Sequence, residues 1–128
     1  MPEKYQLTPV EHELMEILWK LGQGTVRDVI ACLPPNRHLA YTSVSTILRI
    51  LQQKKIITAE KIGKQHIYLP VLSKEKYAAH SLNTMVKHVF SGNSVNLVAY
   101  LVNQQDLSLE EIDRIQKLLD SRKKELAE

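Results

Sequence analysis

The chain has little of what several common classes of protein require. Its 128 residues include a single cysteine, Cys32, so neither a disulfide framework nor a paired-cysteine metal cluster can form within one chain. No apolar run approaches the length of a membrane span, and the first residues lack the apolar segment of a signal peptide. Glycine-rich phosphate loops and the short motifs of zinc peptidases and serine hydrolases are also absent. We therefore expect a cytoplasmic protein without membrane insertion and without enzyme activity.

The histidines are scattered along the chain rather than spaced as metal ligands. They are His12, His38, His66, His80 and His88. The last two lie two helical turns apart, which is too far for one shared ion. We predict no metal site and no cofactor, and we expect Cys32 to be a small buried filler inside the second helix.

Positive charge is concentrated in one region of the chain. The formal net charge is only +3, but residues 36–67 contain six basic residues and one acidic residue, whereas residues 71–128 contain eight of each. Such a concentration is typical of a surface that meets a polyanion. A solvated basic surface without any partner is the alternative.

Two short helices are predicted near the start of the chain. Thr8 is a candidate N-cap, followed by Pro9 in the first helical position and by Glu11 three residues after the cap. Apolar residues then recur at helical spacing until Gly22 ends the helix. Thr25 begins a second, shorter helix that a proline pair ends.

The stretch "AYTSVSTILRILQQKK", residues 40–55, predicts a third helix with two different sides. Its apolar side consists of Val44, Ile47, Leu48 and Leu51 at helical spacing. Its opposite side gathers Thr42, Ser45, Thr46, Arg49, Gln52 and Gln53, with Ser43 on a flank. None of the outward residues is acidic, and short hydroxyls are an unusual choice for a solvated helix face.

A β-hairpin is predicted directly after the third helix. Strands over residues 56–62 and 65–70 flank a turn at Gly63 and Lys64. Three helices followed by a hairpin are the order of a winged helix-turn-helix. We therefore predict a mostly α fold with a small β-hairpin, with residues 1–70 as a winged-helix DNA-binding domain. Residues 71–128 return to a helical pattern, and we interpret them as a dimerisation domain because the first three helices provide only a thin core.

The third helix has the side chains that the DNA major groove requires. Short hydroxyls can reach base edges at the groove floor, and Arg49 can reach a guanine or a phosphate. Phosphate contacts are expected from Lys54, Lys55, Lys61 and Lys64. Two alternatives stay open, namely hydroxyls that merely tolerate exposure and a winged-helix module whose third helix binds a protein.

The sequence resembles the penicillinase repressor family over nearly its whole length. The similarity rests on "LWKLGQGTVRDV", on Tyr41 and Thr42 at the start of the third helix, and on the strand end "YLP". The resemblance implies a homodimeric transcriptional repressor that binds a pseudo-palindromic operator in double-stranded DNA. It also implies that Thr42, Ser43, Ser45 and Thr46 are the base-reading positions.

The resemblance also suggests how such a repressor is released from DNA. In the penicillin-resistance branch, a membrane sensor protease relieves repression of β-lactam-resistance genes through cleavage in the dimerisation helices. The matching bond in "NLVAYLVN" is Tyr100–Leu101. The copper-responsive branch has a C-terminal cysteine motif that this chain lacks, so copper sensing is not expected.

Overall fold

The computed structural model describes residues 6–128, which contain six helices and one two-stranded antiparallel sheet. In chain order the elements are α1 (Pro9–Leu21), α2 (Val26–Ala31), α3 (Tyr41–Gln53), β1 (Ile57–Ile62), β2 (Gln65–Pro70), α4 (Lys74–His88), α5 (Ser94–Gln104) and α6 (Leu109–Ala127). The predicted fold class is confirmed: a winged helix-turn-helix is followed by a helical region.

The chain forms two compact units that meet between Thr84 and Met85. The first unit contains α1 to β2 and most of α4, and the second contains the end of α4 together with α5 and α6. The predicted functional boundary between residues 70 and 71 stays a prediction. Leu72, just beyond it, is buried in the core of the first unit.

The helix starts of the first unit follow from local sequence. The Thr8 backbone N–H donates to Glu11 Oε1 at 2.8 Å, and the Glu11 backbone N–H donates to Thr8 Oγ1 at 3.2 Å. Thr25 and Asp28 exchange the same two bonds at the start of α2. Each box satisfies backbone donors that a helix start would otherwise leave unpaired. The predicted start of α1 is therefore confirmed.

One core joins the three helices to the hairpin. Its fully buried side chains are Leu14, Met15, Leu18, Val29, Val44, Leu48, Leu51, Ile56 and Ile57. The predicted apolar side of α3 is confirmed at three of four positions, while Ile47 is half-buried at its edge. Tyr68 and Leu72 close the core from β2 and from the segment that follows it.

Cys32 lies outside this core, so the prediction of a buried filler inside the second helix was wrong. The cysteine is exposed and unpaired with any other thiol. The reason is the length of α2, which ends at Ala31 and buries Val26 and Val29 instead. Cys32 is the C-cap residue, and its backbone N–H bonds to the Val29 carbonyl at 3.1 Å.

The second unit consists of helices with largely exposed apolar side chains. Neither α5 nor α6 has a buried residue within the single chain. Ser108 and Glu111 form a capping box at the start of α6, and the hydrogen bonds with the Ser108 backbone and hydroxyl lower the pKa of Glu111. None of the helices in residues 6–128 is both long and apolar enough to cross a lipid bilayer.

Candidate DNA interface

The exposed side of α3 is the central feature of the candidate site. Thr42, Ser43, Thr46 and Arg49 are exposed and Ser45 is half-buried; we call these five residues the recognition face. They keep their direction because the opposite side of the helix is anchored in the core by Val44, Leu48 and Leu51. No acidic residue lies within α3. The helix therefore presents short donors and acceptors to solvent without any negative charge.

The hairpin lies beside this face and adds two lysines to it. A groove between α3 and the hairpin is lined by Ser45, Arg49, Gln52, Ala59, Lys61, His66 and Tyr68. Lys61 pairs with His66 across the two strands, and Gly63 takes the left-handed φ of 64° that lets the strands reverse next to Lys64. The structure thus places Lys61 and Lys64 at the end of the hairpin, next to α3.

The hairpin is held in place by backbone hydrogen bonds as well as by packing. Gly24 and Tyr68 exchange two bonds of 3.0 and 2.8 Å between the α1–α2 connection and β2. Gly24 has little room for a side chain, because an added Cβ would lie 3.1 Å from Asp28 Cβ. These backbone hydrogen bonds and the close packing at Gly24 therefore fix the position of Lys61 and Lys64 relative to α3.

Arg27 belongs to the same surface, although the sequence predicts no DNA contact for it. Its guanidinium carbon lies 5.2 Å from the centroid of the Tyr41 ring, a cation–π contact between α2 and the start of α3. Arg27 lines a second groove together with Ser45, Lys64 and His66. An arginine in the first turn of the helix before α3 was the only sequence signal for this contact.

Lys54 forms an ion pair within the protein that the sequence did not predict. Its ammonium group lies 2.9 Å from both carboxylate oxygens of Glu11, a carboxylate that is buried at the start of α1. Burial alone would raise the pKa of Glu11, but the bonds from Lys54 and Thr8 outweigh it and lower the pKa. Removing Lys54 from this pair would leave a buried charge uncompensated. The phosphate contact of Lys54 stays a prediction, and in the protein alone the charge of Lys54 is balanced by Glu11.

Some cations of the first unit are ion-paired and others are not. Arg37 donates two hydrogen bonds of 3.0 and 3.1 Å to the Glu13 carboxylate, so its charge is balanced at the surface of α1. Within residues 6–128, five cations near α3 and the hairpin form no ion pair. They are Arg27, Arg49, Lys55, Lys61 and Lys64. Of the seven Lys and Arg residues within residues 6–84 that form no ion pair, five are thus grouped at the recognition face and the hairpin, and the other two are Lys20 and Lys76.

Lys55 has a backbone conformation that few residues of its type adopt. Its φ is +65°, in the left-handed region, directly after the end of α3. The Lys55 and Ile56 N–H groups bond to the Gln52 and Leu51 carbonyls at 2.9 and 3.0 Å, which is the Schellman arrangement that usually has glycine at this position. A charged side chain is therefore held where glycine would be less strained.

Replacing Lys55 with glycine is expected to raise stability while it weakens DNA binding. Glycine relieves the strain of the left-handed backbone but adds entropy to the unfolded chain. The net gain in the free energy of unfolding is about 0.5–1 kcal/mol. Urea unfolding measures the stability, and a DNA titration measures the several-fold loss of affinity. Lys55→Asn, which also tolerates this φ but lacks the charge, should show the same loss of affinity. If the Lys55→Gly protein is less stable than the parent, the backbone of Lys55 is not strained in the parent.

The other predicted site residues belong to the second unit. Tyr100 and Leu101 are exposed within α5, and the Tyr100 ring makes an edge contact with Phe90 at a centroid distance of 6.1 Å. Cleavage between them stays a prediction. Among the described residues, no three histidine, cysteine, aspartate or glutamate side chains are placed to hold one metal ion.

A polar, acid-free third helix beside a basic hairpin is typical of a winged-helix DNA-binding protein. Comparison with known proteins gives the particular family. The model of the penicillinase repressor family matches residues 7–121, so the chain belongs to that family.

Individual relatives are similar over most of the chain. An uncharacterized 16.5 kDa protein of Latilactobacillus sakei is 27% identical over 91% of this chain and 80% of its own length. The penicillinase repressor of Bacillus licheniformis is 23% identical over 92% of both chains. The transcriptional regulator BlaI of Mycobacterium tuberculosis is 32% identical over 62% of this chain and 58% of its own. A solved structure, "CopR Repressor Structure", has 27% identity and a TM-score of 0.45 over 52% of this chain and 96% of that one.

Proposed function

We propose that the protein is a homodimeric, sequence-specific repressor that inserts α3 of each subunit into the major groove of a pseudo-palindromic operator. The observation that carries this proposal is the exposed, acid-free recognition face with five unpaired cations around it. A polyanion is the partner that such a surface attracts. Family membership supports the same function.

In this proposal the short and the long side chains contact different parts of the DNA. Thr42, Ser43, Ser45 and Thr46 contact base edges, because their short hydroxyls can lie against the groove floor and either donate or accept. Arg49 contacts a guanine or a phosphate. The phosphate contacts that set the register come from Arg27, Lys55, Lys61 and Lys64.

The second unit supplies the dimer in this proposal. Its helices expose apolar side chains that water would otherwise solvate, among them Val95, Val98 and Leu101 of α5. An apolar surface of this kind typically marks an interface. Two recognition helices held together would bind half-sites about 10 base pairs, or a multiple of that, apart.

The proposed regulated genes are supported by the names of relatives, and the proposed release mechanism by the family resemblance. Several relatives have the name "Methicillin resistance regulatory protein MecI", which supports a role in β-lactam resistance. Release by a membrane sensor protease would act on the Tyr100–Leu101 bond of α5, in the cytoplasm. The exposure of the Tyr100 side chain supports access to this part of the helix.

The base-reading role is tested with the double variant Ser45→Ala, Thr46→Ala. The operator is first recovered by selection from a pool of random duplexes. Loss of two hydroxyl contacts per subunit, four per dimer and each worth about 1 kcal/mol, should lower operator affinity about 1,000-fold and affinity for random duplex less than 3-fold. Gel-shift titrations of both duplexes measure the difference.

A matched variant controls for the change from hydroxyl to methyl in a helix. Ser81→Ala, Ser121→Ala alters exposed residues of α4 and α6 and should leave both affinities unchanged. Equal losses on operator and random duplex would remove the base-reading role. A parent protein that selects no duplex at all would favour the alternative, a winged-helix module that binds a protein.

A further inference from the structure

His66 of β2 lies on the side of the hairpin that faces α3. Side chains alternate along a strand, so His66 shares this side with Tyr68, whose side chain is buried in the core. The centroids of the two rings lie 6.5 Å apart. Lys61 is the residue directly opposite His66 in the antiparallel register. The imidazole is therefore held beside α3, next to a lysine of the hairpin.

The imidazole lies among the unpaired cations that surround the recognition face. The exposed His66 side chain lines both grooves beside α3, and so does Ser45 of the recognition face. Four of the five unpaired cations line one groove or the other; they are Arg27, Arg49, Lys61 and Lys64. Within residues 6–128 the His66 side chain has no ion-pair or hydrogen-bond partner of its own. Its ring nitrogens are therefore available to a ligand.

No carboxylate of residues 6–128 lines either groove. Helix α3 and strand β2 contain no acidic residue. Asp28 of α2 accepts a hydrogen bond from the Thr25 backbone at 3.0 Å, and Glu60 of β1 lies on the other face of the hairpin from His66. The other titratable groups in the grooves are the phenols of Tyr41 and Tyr68.

Helix α1 also packs against β2, but its charged and titratable residues line neither groove. They are Glu11, His12, Glu13, Glu16 and Lys20. The charged groups that share the two grooves with the imidazole are therefore all positive in this part of the chain. An anion is the ligand that such surroundings favour.

A phosphate bound by the hairpin lysines would lie beside the imidazole. Histidine is the side chain that ordinarily changes charge between about pH 5 and 8. A neighbouring negative charge favours the protonated, positively charged ring, and that ring donates a strong hydrogen bond to a phosphate oxygen. Binding of DNA would therefore draw a proton from the solvent onto the ring.

We propose that His66 is a further phosphate contact and that it binds DNA in its protonated form, so that each subunit takes up a proton as the complex forms. Lys61 and Lys64 bring the DNA backbone to the hairpin, and a ring N–H of His66 donates to a phosphate oxygen. Because the protonated ring is the form that binds, affinity for DNA rises as the pH falls from about 8 to about 6. This inference rests on the proposed function, because the phosphate belongs to the DNA that α3 binds.

The test measures affinity and proton uptake on the full-length protein. Fluorescence anisotropy at constant salt compares binding of the selected operator at about pH 8 and about pH 6. Each protonated ring should strengthen binding about 5-fold over this range, so a dimer should gain about 25-fold. Calorimetric titrations at about pH 7, in two buffers of different protonation enthalpy, should show that the parent takes up about 0.5 proton per subunit.

Two substitutions of His66 and one matched control separate its charge from its shape. His66→Gln keeps a polar side chain that cannot be protonated, so it should reduce the pH effect to below about 3-fold and the proton uptake by about 0.5 per subunit. His66→Lys has a permanent charge and should bind at both pH values about as tightly as the parent does at about pH 6. His38→Gln should keep the profile of the parent, because His38 is exposed and lines neither groove.

The possible failures are distinguishable. A His66→Gln protein with the proton uptake and the pH profile of the parent would overturn the phosphate contact alone. A pH effect that is present on the operator and absent on random duplex would also overturn it, because every duplex has the same phosphates. A parent that selects no duplex would overturn the proposed function and, with it, this contact.

Discussion

Replacing Val98 and Leu101 with lysine is expected to make the protein monomeric and to weaken operator binding by about two to four orders of magnitude. Both side chains lie on one side of α5, three residues apart, and both are partly exposed in the single chain. Two lysines on that side cannot be buried against a second copy without a large desolvation cost. Each subunit would then bind its half-site alone. The gain in affinity that comes from binding two half-sites with one dimer would be lost.

Lysine is the sharper choice of substituent because its charge attracts DNA. A fall in affinity then has to come from loss of the dimer, since the added electrostatic attraction acts in the opposite direction. Asn103→Lys, Gln104→Lys adds the same charge to polar, exposed positions of α5 and is the matched control. Sedimentation measures the oligomeric state, and a variant that still sediments as a dimer would contradict the role of α5.

Features set by neighbouring residues were predictable from the sequence. The Thr8–Glu11 box, the Gly63–Lys64 turn and the two-sided pattern of α3 each depend on residues a few positions apart. Local spacing therefore fixed the order of elements, and that order was enough to predict a winged helix. The recognition face was predictable for the same reason, because one buried side of a helix determines the other.

Features that depend on distant residues were not predictable. The Lys54–Glu11 pair joins residues 43 positions apart, and the Arg37–Glu13 pair joins residues 24 apart. Both cations contribute to the positive stretch of sequence, yet in the fold their charges are balanced by α1. A count of charges along residues 36–67 therefore included Lys54 and Arg37, which are ion-paired in the fold. It left out Arg27, which forms no ion pair within residues 6–128. The ring contact between Trp19 and Tyr77 was unpredictable for the same reason, because the two residues lie far apart in the chain.

Operator affinity is expected to fall by about three to five orders of magnitude when monovalent salt rises from about 50 to about 200 mM. A dimer with four or five unpaired cations in each subunit would neutralise about eight to ten phosphates and release their counterions. Lys64→Gln removes two of these contacts per dimer, so the slope of log affinity against log salt should become shallower by about two. Titrations at four or more salt concentrations measure the slope.

Arg37→Gln is the control that separates local charge from net charge. It removes the same single charge per subunit, and Arg37 lies in the same positively charged stretch of sequence as Lys64. In the fold, however, the Arg37 guanidinium is engaged by both oxygens of Glu13, whereas Lys64 has no ion-pair partner within residues 6–128. The salt slope of Arg37→Gln should therefore match that of the parent. A slope that changed equally in both variants would mean that DNA responds only to the overall charge, and the grouping of free cations around α3 would lose its role.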